Sequence, residues 1–121
     1  MPVEVKNIHF SILEVKKALA QFSTRRKKYL EYNDIRNVKV VDKPKINISC
    51  ELYKSSGYEN NIISFNQNEI AAALISFCMD YRIPIPKIAT KELQALGEEL
   101  LLVIKLNHGS EELEEEVFEI G

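Results

Sequence analysis

The sequence predicts an α+β protein made of two tandem β-α-β-β units, at about residues 1–55 and 56–109, followed by an acidic tail. The first observation is a repeat: IHFSILEVKKALAQF, beginning at Ile8, matches the character of ISFNQNEIAAALISF, beginning at Ile63. The second is that both stretches carry the same helix-start signal. The third is that two β-like runs follow each of them. We therefore expect antiparallel strands packed against two helices, with pseudo-two-fold internal symmetry.

Each predicted helix begins at a capping box. Ser11 and Asn66 are favourable N-cap residues, and a glutamate follows each of them three positions later, at Glu14 and Glu69. Apolar residues flank both caps at the positions of a hydrophobic staple, Phe10 with Val15 and Phe65 with Ile70. With apolar residues recurring at helical spacing behind each cap, the pattern predicts helices over 12–30 and 67–81.

The runs after each helix are typical of half-buried strands joined by turns. NVKVV and KINISCELY alternate apolar and polar residues around the turn sequence DKPK, and ELQAL and LLLVIKL flank GEE. Pro84 and Pro86 end the second helix, because a residue before proline is disfavoured in the helical region. We expect residues 1–109 to form one compact domain, and residues 110–121, SEELEEEVFEIG, to be a mobile tail or a short helix.

Composition narrows the class of protein. The apolar runs are too short to span a bilayer, and MPVEVKNIHF is not a secretory signal. Cys50 and Cys78 lie within apolar segments, without a cysteine or histidine at metal-ligand spacing. We therefore expect a cytoplasmic protein with two reduced thiols, no bound metal, no cofactor and no membrane contact.

Known catalytic motifs are missing from the sequence. It contains no glycine-rich phosphate loop and no GxSxG, HExxH or CxxC motif, and neither His9 nor His108 has a motif partner. We therefore expect no catalytic residues and a non-enzymatic protein. A small-molecule enzyme is the third-ranked alternative, because catalytic groups can also assemble only in space.

The charges divide unevenly along the chain. Residues 1–50 hold 11 Lys and Arg against 5 Asp and Glu, whereas residues 51–121 hold 5 against 13. Much of the positive charge lies on the first helix, where the candidate residues for binding nucleic acid or an acidic partner are Lys16, Lys17, Arg25, Lys27 and Lys28. The four lysines fall opposite the apolar stripe, so the other interpretation is an ordinary solvated face. In the nucleic-acid hypothesis the acidic tail competes for this basic face.

The second helix and the segment after it differ from their counterparts in the first unit. IAAALISFCM is apolar or small on nearly every face, which is typical of a central helix or of a self-association helix through Ala71, Ala72, Ile75 and Met79. YRIPIPK, residues 81–87, reads either as a rigid connector or as an edge that recognises a peptide or an anion, anchored by Arg82 and Lys87.

These features favour a small binding or adaptor module that self-associates, with a homodimer as the expected state and an unknown protein partner. The first alternative is a nucleic-acid-binding regulator that uses the basic face of the first helix.

Overall fold

The computed structural model describes residues 2–25, 30–53 and 61–107. The elements, in chain order, are β1 Val3–Phe10, α1 Ile12–Arg25, a 3₁₀ turn Tyr32–Asp34, β2 Ile35–Val41, β3 Asn47–Leu52, β4 Ile62–Phe65, α2 Gln67–Asp80, β5 Thr90–Leu96 and β6 Glu99–Asn107. The predicted α+β class is confirmed. No helix within the described ranges is long and apolar enough to cross a membrane.

Both predicted capping boxes are present. The Glu14 amide donates to Ser11 Oγ at 3.3 Å, and the Ser11 amide donates to Glu14 Oε1 at 2.9 Å. At α2, the Glu69 amide donates to Asn66 Oδ1 at 2.9 Å, and the Asn66 amide donates to Glu69 Oε1 at 3.1 Å. Each box satisfies backbone donors that the first helical turn would otherwise leave unpaired.

The first helix does not include Leu30, the last residue of its predicted range. Its described part ends at Arg25, residues 26–29 lie outside the described residues, and Leu30 is not helical. Leu30 is instead fully buried, and its carbonyl oxygen lies 3.4 Å from the Thr24 hydroxyl. Leu30 therefore belongs to the hydrophobic core without being helical, whereas α2 matches its predicted range to within one residue.

The strands form two antiparallel sheets that exchange strands between the two units. One sheet has the order β1-β6-β5, and the other has the order β2-β3-β4. Thus β1 of the first unit pairs with the hairpin of the second unit, and β4 of the second pairs with the hairpin of the first. Neither unit supplies all three strands of a sheet.

The strand registers place the repeated residues alike. Phe10 lies opposite Leu100 on β6, and Phe65 lies opposite Ile48 on β3. The β5–β6 hairpin turns through two residues, with Gly97 at φ 63°, a left-handed conformation that glycine adopts without steric cost.

The internal two-fold axis stays a prediction, and the tail at 110–121 lies outside the described residues.

One hydrophobic core joins both units. The helices α1 and α2 pack against each other, and Phe77 on α2 meets Phe10 on β1 edge to face, with ring centroids 6.0 Å apart. The largest fully buried side chains come from both sheets and both helices: Phe10, Phe65, Leu19, Leu30, Ile48, Ile70, Leu74, Leu100, Leu102, Val15, Val38 and Cys50. The helix α2 contributes Ile70, Ala73, Leu74, Phe77 and Cys78 to this core, while Met79 near its end is exposed.

Candidate docking groove

The helix α2 ends in a Schellman motif with an arginine in the left-handed position. The Ile83 amide donates to the Cys78 carbonyl oxygen at 2.8 Å, and the Arg82 amide donates to the Met79 carbonyl oxygen at 3.2 Å. Arg82 has φ 56°, a conformation that glycine usually fills at this position. For a residue with a Cβ it costs about 1–2 kcal/mol.

The segment after this turn is held in place by its own hydrogen bonds. The Ala89 amide donates to the Pro86 carbonyl oxygen at 3.2 Å, closing a turn before β5. Lys91 Nζ then lies 3.0 Å from the Ala89 carbonyl oxygen and 3.3 Å from that of Lys87. With φ fixed at both Pro84 and Pro86, this segment is a preorganised wall beside α2.

Residues along that wall alternate between two cavities. Ile83 and Ile85 are half-buried against the core and line a large groove beside α2. Pro84 and Pro86 line a separate cavity of about 150 Å³, together with Lys6, Ile104 and Leu106. Because successive residues of an extended chain point in opposite directions, Ile-Pro-Ile-Pro gives the wall one isoleucine face and one proline face.

The large groove has a volume of about 760 Å³ and combines an apolar floor with cations. We call it the cationic groove and define it by Ile75, Met79, Arg82, Ile83, Ile85, Lys87 and Lys91. Met79 is 71% exposed, a large value for an unbranched apolar side chain. Three of the lining residues are cations and none is a carboxylate, so the groove favours an apolar ligand that carries negative charge.

Two of the three groove cations, Arg82 and Lys91, form no ion pair with a carboxylate of the described residues. Within the described ranges, Arg82 makes no side-chain hydrogen bond or ion pair. The Lys91 ammonium donates to two neutral backbone oxygens rather than to a carboxylate. An unpaired guanidinium beside exposed apolar surface is well suited to bind a carboxylate.

The sequence predicted parts of this groove as two separate sites. Arg82 and Lys87 were expected to form a recognition edge, and Ile75 and Met79 to belong to a self-association helix; the structure brings all four together. Ala71 and Ala72 are half-buried and do not line the groove. Sequence reasoning missed the groove roles of Ile83, Ile85 and Lys91. The signals were the Ile-Pro alternation and the position of Lys91 two residues before the buried Leu93 on β5.

A second cavity, of about 710 Å³, lies at the C-terminal end of α1 and contains two of the predicted basic residues, Lys17 and Arg25. Glu31 and Asp80 also line it, so its described cations and carboxylates are equal in number. Arg25 donates to Asp80 Oδ2 at 2.7 Å and also contacts Ser76 Oγ on α2. We call it the balanced cavity.

The binding role of the other basic residues on the first helix stays a prediction. Lys27 and Lys28 lie outside the described residues. Lys16 is half-buried, and its positive charge lowers the pKa of the Cys50 thiol. Burial has the larger, opposite effect, and raises the pKa of Cys50 to about 12. Burial also raises the pKa of Cys78, so both free thiols are poor nucleophiles at neutral pH.

The one described histidine and its carboxylate partner do not line the cationic groove. His9 Nε2 lies 2.9 Å from Glu99 Oε1, and both side chains are substantially exposed on the sheet. Arg82 shares its groove with no carboxylate from the described residues. Among residues 2–25, 30–53 and 61–107, no group of three potential ligands could hold a metal ion.

Comparisons with family models, with curated proteins and with solved structures gave no match for this chain. What the cationic groove can bind therefore follows from its own chemistry.

Proposed function

We propose that this protein is a binding module that takes an acidic amphipathic segment of a partner protein into the cationic groove. The observation that carries the proposal is the combination of four large apolar side chains with three cations in one groove. An amphipathic helix offers the complementary surface, because apolar residues on one face can cover the floor while flanking carboxylates reach the cations.

The apolar floor favours a peptide over a small inorganic anion. Ile75 and Met79 are one helical turn apart on α2 and present adjacent apolar surface. A phosphate or a sulfate would leave that surface in water, whereas an apolar side chain would gain about 25 cal/mol for each Å² it buries. A groove of about 760 Å³ also has room for more than one side chain.

The nucleic-acid alternative has less support. Arg25, one of its predicted contacts, is already paired with Asp80, and the balanced cavity around it has no excess of described positive charge. Phosphate backbones are bound mainly by uncompensated Lys and Arg.

Self-association through the same groove is also less favourable. In a two-fold dimer the same surface patch meets itself, so three cations would face three cations. A dimer built that way would place like charges together in a partly dry interface. The homodimer predicted from the sequence stays a prediction, and a different surface would serve it better.

A fluorescence anisotropy titration tests the proposal. The probe is a fluorescein-labelled 14-residue model helix with leucines at helical spacing and glutamates elsewhere. The control probe replaces every glutamate with lysine. We expect the acidic probe to bind and the basic probe to fail, because the groove repels cations.

Two matched variants locate the binding surface. Met79→Glu places a carboxylate on the groove floor, whereas Leu13→Glu makes the same change at an exposed residue of α1 that does not line the groove. Loss of acidic-probe binding in the first variant alone supports the proposal. Equal affinity in both variants, or absence of acidic-probe binding to the wild type and to the tail variant described below, overturns it.

A further inference from the structure

We infer that residues 110–121 of this chain dock in the cationic groove as an intramolecular competitor of the partner segment. This inference rests on the proposed function, since it assigns the regulation of the same groove. It replaces the basic face of α1 with the cationic groove as the place where the acidic tail competes.

The composition of the tail complements the groove. SEELEEEVFEIG holds six glutamates, no lysine or arginine and four large apolar residues. In a helix, Leu113, Val117 and Ile120 would fall on one stripe, at spacings of four and three residues. Carboxylates beside that stripe would meet Arg82, Lys87 and Lys91 around an isoleucine and methionine floor.

The strand β6 delivers the tail to the correct end of the molecule. Ile104 lies opposite Lys91 of the groove, and β6 ends three residues later, at Asn107. Three residues of strand span about 10 Å. Residues 108–121 can extend to about 46–50 Å, so their length is ample to cross the groove.

Because the tail is covalently connected to β6 by a short linker, even a weak interaction with the groove can keep the groove occupied. A segment tethered through a few residues experiences an effective concentration in the millimolar range. Since a partner binds only the free groove, its apparent Kd rises in inverse proportion to the fraction of molecules with a free groove. The partner must therefore displace the tail.

Methionine methyl NMR on the full chain tests the docking directly. The chain has two methionines, Met1 and Met79, so the Met79 methyl resonance can be assigned with a Met79→Ile variant. Phe118→Leu keeps an apolar tail residue but removes its aromatic ring and the associated ring-current shift. We expect this change to move the Met79 resonance, whereas Tyr53→Leu, which removes an exposed ring outside the groove, should not.

A second variant measures the competition. Replacement of all four tail apolar residues with serine preserves every tail charge but removes the surface that would cover the floor; these residues are Leu113, Val117, Phe118 and Ile120. We expect the acidic probe to bind this full-length variant about tenfold more tightly than wild type, corresponding to a groove about nine-tenths occupied.

The outcomes separate the two proposals. A Met79 shift that is unchanged on dilution, with tighter probe binding by the serine variant, supports intramolecular docking. A shift that disappears on dilution overturns it in favour of docking between two copies, and no shift overturns it altogether. Probe binding without a tail-dependent shift supports the proposed partner binding in the cationic groove and overturns tail docking. A tail-dependent shift without probe binding to any variant overturns the partner groove.

Discussion

The cationic groove and the balanced cavity have nearly the same volume, about 760 and 710 Å³, yet they differ in charge and in their floors. In the balanced cavity Arg25 meets Asp80 at 2.7 Å, so its charge is used within the fold. In the cationic groove Arg82 has no such partner among the described residues, and exposed Met79 lies beside it. A high local density of basic residues therefore does not by itself identify uncompensated positive charge.

The two arginines also differ in backbone cost. Arg25 lies in the last turn of α1, where a cation interacts favourably with the helix C-terminus. Arg82 occupies a left-handed position that a glycine would fill with less strain. A strained residue with an unpaired charge beside apolar surface is typical of a site kept for binding.

The largest expected effect is the loss of acidic-probe binding when a negative charge is placed on the groove floor. Met79→Glu should weaken binding by about 2–3 kcal/mol, or roughly 30- to 150-fold in Kd, because a carboxylate would be desolvated against an acidic ligand. Anisotropy titration measures the change, and Leu13→Glu is its control. If the Met79→Glu variant bound the acidic probe as tightly as the wild type, the groove would not be the binding surface.

A smaller effect is expected when the groove charges are inverted. Arg82→Glu combined with Lys87→Glu should cost about 1–2 kcal/mol of probe affinity, since exposed charge pairs are individually weak. The affinity of the wild type should also fall with added salt more steeply than that of the double variant. Lys17→Glu with Lys105→Glu makes the same change in net charge outside the groove and should bind as wild type. Equal losses of probe affinity in both double variants would show that the net charge of the protein, and not the groove, determines binding.

Replacing Arg82 with glycine is expected to raise the stability of the protein and to weaken probe binding. Arg82→Gly should raise the free energy of unfolding by about 1 kcal/mol, because relief of the left-handed strain exceeds the added entropy of the unfolded chain. The same substitution should weaken probe binding severalfold. Asn61, at φ 56°, is the matched control, since asparagine tolerates this conformation and Asn61→Gly should gain less. Urea denaturation measures both, and a destabilised Arg82→Gly variant would contradict the strain argument.

The smallest effect is expected at the balanced cavity. Asp80→Asn removes the carboxylate that pairs with Arg25 and should lower stability by only about 0.5 kcal/mol, because the pair is partly exposed. Acidic-probe affinity should be unchanged, even though the cavity gains net positive charge. If Asp80→Asn created a second binding site for the probe, unpaired charge rather than the apolar floor would determine recognition.

Local signals in the sequence were sufficient for the helix starts but not for the sheets. Ser11 with Glu14 and Asn66 with Glu69 make their hydrogen bonds within four residues, so spacing alone predicts them. The pairing of β1 with β6 joins Phe10 to Leu100, and alternation identifies which face a strand buries but not which strand it meets. The strand exchange was therefore not predictable from these patterns.

The groove was predictable only in fragments. The charge of Arg82 and Lys87 predicted a recognition edge, and the apolar helix predicted a self-association surface that includes Ile75 and Met79. No local sequence pattern places these two pairs of residues in one groove. This placement depends on the left-handed turn at Arg82, where sequence statistics favour glycine. This turn sends Ile83 and Ile85 back beside α2 and so completes the groove.

The strand exchange has a consequence for biosynthesis. The sheet β2-β3-β4 comes from a continuous stretch, Ile35–Phe65, and can form while later residues are still being translated. The sheet β1-β6-β5 cannot, because β1 is translated well before β6 and must wait for it. Until then, the hydrogen-bonding edge of β1 and the apolar surface of α2 are open to nascent-chain chaperones and to misassembly.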